Sequence, residues 1–156
     1  MMMRTLWLVG LLGVTTALQA AWTQDYEAAK KQARLSNRPI LAMFTGSDWC
    51  PPCKQFERDV AYSERFLGYT KETVVLLKID FPQHKLQAPA LIAQNEALAE
   101  RIGGEEFPRF YLLDADGRVL GKLNTGVQRR AVDYGDYIFQ ALREELAKVV
   151  RRPAKE

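Results

Sequence analysis

The sequence predicts an α/β domain, a mixed sheet with helices on both faces. Three features predict it. Ile40-Leu41-Ala42-Met43-Phe44 and Val74-Val75-Leu76-Leu77-Lys78-Ile79-Asp80 are short runs that are apolar almost throughout, as strands are when helix layers cover both faces of a parallel pair. Segments of helical period separate these runs and follow them. Downstream, Arg109 to Asp114 and Val119 to Leu123 flank Ala115-Asp116-Gly117, and an Asp-Gly turn between two apolar stretches predicts an antiparallel hairpin.

The elements follow in order. Met1 to Arg4 gives a positive start, Thr5 to Thr16 is apolar, and Ala17-Leu18-Gln19-Ala20-Ala21 supplies small residues, so residues 1–20 read as a secretory signal peptide. Left uncleaved, that segment is a marginal membrane span, because Gln19 and three threonines interrupt it. A first helix is predicted from Thr23 to Leu35, with Tyr26, Ala29 and Ala33 at helical spacing and Ser36-Asn37-Arg38-Pro39 ending it. After the first strand comes a turn at Gly46-Ser47-Asp48. Pro51 and Pro52 break helix interiors but are tolerated in a first turn, whose N–H groups have no intrahelical partner. A helix is therefore predicted to start at Cys50, run through Phe56 and Val60, break near Tyr62 and resume to Leu67. Another runs from Ala88 to Ile102 and stops at Gly103-Gly104. Tyr134, Ile138, Leu142, Leu146 and Val149 form one stripe of a closing helix. The division is thus a signal peptide at 1–20, one domain at 21–150 and a basic tail at 151–156.

Composition narrows the function. The chain has 156 residues, 47% hydrophobic and 26% charged, with two cysteines, so it relies on a packed core and not on several disulfides. The net charge of +3 resides at the ends: Arg4 in the leader, and Arg151, Arg152 and Lys155 against Glu156 in the tail. The body carries no net charge and no basic run interleaved with aromatics, which argues against nucleic acid.

Cys50 and Cys53 carry the chemistry. Separated by two residues at a helix start, they lie about one turn from each other and can switch between dithiol and disulfide. Cys50 sits where orphan amides and the positive helix end favour a thiolate, the attacking species in exchange. Cys53, one turn inside, is placed to resolve the mixed disulfide by attacking Cys50. Two other readings stay open on the residues: a binding module for cysteine-bearing peptides with little turnover, and a dimer that pools two cysteine pairs around a metal. His84, in a polar loop beside Pro82, reads as a solvated side chain, and Asp114 and Asp116 as turn residues.

Phe44-Thr45-Gly46-Ser47-Asp48-Trp49-Cys50-Pro51-Pro52-Cys53-Lys54 resembles the active-site segment of the thioredoxin superfamily. The likeness extends from about Asp25 to Lys148, with Lys78-Ile79-Asp80 ending the next strand and Phe107-Pro108 opening the hairpin in the family's order. It implies a three-layer thioredoxin-like fold with two parallel strands and a C-terminal antiparallel hairpin. It further implies that Pro108 is cis and faces the cysteines, that the backbone at Phe107 pairs with an extended substrate strand, and that Trp49 covers the cysteines. The implied activity is that of an exported, periplasmic or secreted thiol-disulfide oxidoreductase that reduces or isomerises protein or peptide disulfides. It needs an electron-donor protein and no organic cofactor. The sequence departs from the family in two places. Met43 stands where many thioredoxins carry a buried Asp, which predicts that Lys78 lacks its carboxylate partner and that Glu57 or Asp48 assists Cys53 through water. The stretch from Phe81 to Ala88, with Pro82, His84 and Lys85, is long and is predicted to shape a partner surface.

Overall fold

The computed structural model describes residues 22–103, 106–124 and 134–151. The leader at 1–20, Gly104 and residues 152–156 of the predicted 151–156 tail lie outside the described residues, while Arg151 ends the last helix. Among the described residues no helix is long and apolar enough to cross a membrane.

Helix α1 spans Tyr26–Ser36, a later start than the predicted Thr23. Asp25 explains the shift, because its side chain accepts from the Ala28 N–H at 2.9 Å and caps the first turn. Thr23 is instead drawn to the sheet by a parallel bridge with Leu77. Asn37 closes α1 in the left-handed conformation at φ 50°, a role that Asn fills with little strain. Strand β1 is Ile40–Thr45, buried at every position. Helix α2 is Pro51–Phe56, and a π-helical turn, Glu57–Ala61, continues it. The predicted break falls at Tyr62. Ser63 then caps α3, Glu64–Thr73, by accepting from the Phe66 N–H, so the resumed helix runs beyond the predicted Leu67.

Strand β2 is Val75–Asp80, α4 is Pro89–Ile102 with Pro89 in its first turn, and β3 is Arg109–Leu113. Strand β4, Val119–Lys122, follows the hairpin turn, in which Gly117 takes φ 84°, open to glycine at no steric cost. Helix α5, Tyr134–Arg151, closes the fold. The strand order is β2-β1-β3-β4, with β1 parallel to β2 and the β1–β3 and β3–β4 pairs antiparallel. This is the predicted mixed sheet.

Side chains alternate across β1 and divide the core. Ile40, Ala42 and Phe44 pack with Tyr26, Ala29 and Ala33 of α1 and Leu98 of α4. Leu41 and Met43 pack on the other face with Phe56, Val60, Phe66, Ile138, Leu142 and Leu146. Three residues of the predicted α5 stripe are thus core, and Val149 packs against it. The C-terminal ends of β1 and β2 are left to support the turn at 46–48 and the start of α2, where the cysteines sit.

Candidate active site

Cys50 is the N-cap of α2, in extended conformation at φ −90° and ψ 108°. Its sulfur is joined to that of Cys53, with the two Cα atoms 5.3 Å apart. Both cysteines are buried, Cys50 with 3% exposure and Cys53 with none. Pro51 and Pro52 occupy the first two helical positions. An ordinary helix start offers free amides there, but proline has none. Of the first three helical residues only Cys53 retains an N–H, and it lies 3.4 Å from the Cys50 sulfur.

The turn before Cys50 is held at each residue. Gly46 O accepts the Cys50 N–H at 2.9 Å, and the Trp49 indole lies so close over Gly46 that a Cβ there would collide with it. The Ser47 N–H and hydroxyl donate to the two Asp80 carboxylate oxygens at 2.9 and 2.6 Å. Asp48 Oδ1 and Oδ2 accept the Gln83 and His84 N–H groups at 2.9 and 2.8 Å. Desolvation pushes the Asp48 pKa up, but these amides and the neighbouring His84 outweigh it and hold the carboxyl below its ordinary 3.8. Trp49 Nε1 donates to Phe81 O at 2.7 Å. The Asp80 carbonyl in turn accepts from Asn95 of α4 at 2.8 Å and from Gln87 at 3.1 Å.

The Phe107–Pro108 peptide is cis. The Phe107 ring meets Trp49 edge-on at 5.5 Å and Phe81 at 5.7 Å, which connects the segment opening β3 to the residue before Cys50. Arg109, 3% exposed, lies with its guanidinium 4.3 Å from the Phe44 ring centroid and 5.1 Å from that of Phe107. Burial lowers its pKa, against the opposing charge of Tyr111. No sequence pattern singled out Arg109, because a charged residue in a strand start gives no local sign of being stacked between rings.

One expectation is corrected. Met43 is buried and pairs in register with Lys78 across β1 and β2, yet Lys78 does not lack a carboxylate. Its Nζ lies 2.9 Å from Glu57, both side chains being largely buried, and Thr45 Oγ1 donates to the same carboxylate at 3.5 Å. The acid comes from the helix and not from the strand, one turn beyond Cys53. The spacing of four residues between Cys53 and Glu57 was the available signal, since side chains so spaced share a helix face. Asp48, the other candidate, has both oxygens engaged by loop amides. Among the described residues no group of three or more His, Cys, Asp and Glu converges as metal ligands.

A sheet of this order, with paired cysteines at a helix start and a cis-proline opening β3, defines a thioredoxin-fold protein. The model of the thioredoxin-like family matches residues 21–115, and the chain belongs to that family. It is 26% identical over 115 residues, 74% of this chain, to the thioredoxin-related protein DsbJ of Chlamydia pneumoniae. It is 27% identical over 100 residues, 64% of this chain, to the disulfide bond reductase DsbH of the same organism. These matches span 33% of DsbJ and 60% of DsbH, so this chain corresponds to only part of either relative. Among solved structures, the DsbH oxidoreductase superposes with TM-score 0.71 at 22% identity, covering 92% of this chain and 95% of that one. A thioredoxin from Thermus thermophilus superposes at 0.55 and 18%, covering 86% and 89%. At these identities the likeness defines the fold.

Proposed function

We propose that this protein is an exported thiol-disulfide oxidoreductase that reduces disulfides in polypeptides. The observation that carries the reading is the Cys50–Cys53 disulfide at the start of α2, with Cys50 3% exposed and Cys53 fully buried. In the dithiol form the Cys50 thiolate attacks a substrate disulfide, a mixed disulfide forms, and one substrate sulfur leaves as thiolate and takes a proton. Cys53 then loses its proton and attacks Cys50, forming the Cys50–Cys53 bond and releasing the second substrate thiol. Two electrons pass to the substrate, and a dithiol donor protein must return them. Glu57 is the proton acceptor for Cys53 through a water, being one turn away and itself held by Lys78. Phe107 supplies backbone for an extended substrate strand and Pro108 faces it.

The missing amides at Pro51 and Pro52 support the reducing direction. A thiolate with fewer donors leaves the dithiol form less stabilised, and a couple with a less stable reduced form gives up its electrons more readily. Isomerisation uses the same first attack and needs no net electron flow. The name of the relative DsbH, a disulfide bond reductase, favours the reductive reading. Export rests on the apolar leader from Thr5 to Thr16.

Insulin reduction in the presence of dithiothreitol tests the activity. Acceleration by the wild-type domain that disappears in Cys50→Ser is the expected result, and no acceleration by either form leaves a peptide-binding module as the better reading. Trapping with Cys53→Ser in the native cell envelope is expected to yield Cys50-dependent adducts that identify the clients.

A further inference from the structure

Three consecutive residues before Cys50 grip one segment after β2. Ser47 bonds Asp80, Trp49 bonds Phe81, and Asp48 bonds the amides of Gln83 and His84. Phe81 N–H also donates to Thr45 O at 2.9 Å. Each contact joins residues more than thirty positions apart in sequence. A stretch of surface chain with so many bonds to one turn cannot move independently of that turn, because displacing it breaks several hydrogen bonds together. Segment 80–84 is therefore a fixed wall beside the nucleophile.

The wall continues in two directions. Phe107, at the substrate-pairing edge, packs on both Trp49 and Phe81, so the cis-proline segment, the tryptophan and the wall form one surface. Beyond His84 the chain presents Lys85 and Leu86 to solvent, and Leu86 is fully exposed. Pro82, Leu86 and Ile92 border a cavity of about 290 Å³ between this segment and α4. Of the three gripping residues, Asp48 is the one that reaches the outer part of the segment, with its carboxylate on two successive amides. Its role is distinct from those of Ser47 and Trp49, which hold the root.

We infer that Asp48 is a positioning residue that fixes segment 82–86 as a docking rim for the polypeptide flanking a substrate disulfide, making the rim a determinant of preference for protein over small-molecule disulfides. This rests on the oxidoreductase reading above. The occupant is a polypeptide because the rim is continuous with the backbone edge at Phe107 that an extended strand would pair with. A small disulfide has no flanking polypeptide to lay on residues 82–86, so its reaction with Cys50 does not draw on the rim.

The experiment compares insulin with oxidised glutathione as substrates for wild type, Asp48→Ala, Asp48→Asn and Leu86→Ser. Asp48→Ala is expected to lower kcat/KM for insulin about tenfold, mainly through KM, while the rate with oxidised glutathione and the Cys50–Cys53 potential stay within about twofold and within error respectively. Asp48→Asn, with one acceptor oxygen in place of two, is expected to fall between. Leu86→Ser changes a fully exposed side chain, and a loss of about threefold on insulin alone is expected. Equal losses with both substrates would assign Asp48 to holding Cys50 itself and overturn the inference. So would an Asp48→Ala protein, or a Leu86→Ser protein, that reduces insulin at the wild-type KM. If wild type reduces neither substrate, the oxidoreductase reading falls, and the docking rim falls with it.

Discussion

Replacing Pro52 with alanine would return an amide to the second position of α2, where an N-cap acceptor ordinarily finds its donor. In the present structure that donor is missing and the Cys50 sulfur has the Cys53 N–H at 3.4 Å. A hydrogen bond to a charged group contributes about 1.5–3 kcal/mol. Sulfur is a diffuse acceptor, so the lower end applies, and about 1.4 kcal/mol corresponds to about one pH unit in the midpoint of Cys50 ionisation. The sign follows directly: a better-stabilised thiolate ionises at lower pH and favours the dithiol form over the disulfide. The potential therefore rises, by at most about 30 mV for a two-electron couple, and the variant becomes a weaker reductant. The midpoint is read from the ultraviolet absorbance of the thiolate in a Cys53→Ser background, where one thiol titrates. The potential is read from equilibration with glutathione in the two-cysteine protein. Loss of the proline also lowers stability by about 0.4–1 kcal/mol through the unfolded chain, which denaturant melts separate from the redox effect. A midpoint that stays within about 0.3 pH unit of the parent, or moves upward, refutes the argument that amide number controls this thiolate.

Three further outcomes are expected. Glu57→Gln keeps the size of the side chain and an oxygen for Lys78 but accepts no proton, so resolution of the mixed disulfide slows by about tenfold or more. Rapid-quench measurement across pH checks it, and an unchanged rate and profile would remove Glu57 from the proton path. Phe56→Ala deletes a fully buried ring that meets Phe66 at 5.8 Å and Phe110 at 4.8 Å, and should cost about 3–5 kcal/mol, seen as a lower denaturation midpoint with unchanged slope. For Asp48, a folded pKa held below 3.8 means that its contribution is present above that value and is lost as pH falls through the lower, folded one. Amide exchange of Gln83 and His84 should therefore remain protected at pH 5 and loosen only below 3.8; loosening already at pH 5 would show that the carboxylate does not hold the loop.

Much of this molecule was legible in its chain because the signals were local. The apolar runs at 40–44 and 74–79 marked the strands, Asp116-Gly117 marked the hairpin, and the prolines after Cys50 marked a helix start. The cysteine pair announced its own chemistry. The cis conformation at Pro108 came from the family resemblance and from nothing in the residue itself. What escaped was long-range: Glu57 reaching Lys78, Asp80 receiving Ser47, Asp48 holding Gln83 and His84, and Arg109 between Phe44 and Phe107. Each joins residues distant in sequence or depends on which face a side chain takes, and periodicity carries no trace of such partners. The π-helical turn at 57–61 was equally invisible, since its composition is that of an ordinary helix.

The bridge at Thr23 bears on self-association. Thr23 receives the Lys78 N–H and donates to Leu76 O along the outer side of β2, which the strand order leaves at the border of the sheet. An open border of regular, apolar strand is a template on which a second molecule can stack by main-chain bonding. Thr23 already holds the Leu76 carbonyl and the Lys78 amide, so a second copy approaching the β2 border finds the middle of that strand taken by the protein's own chain.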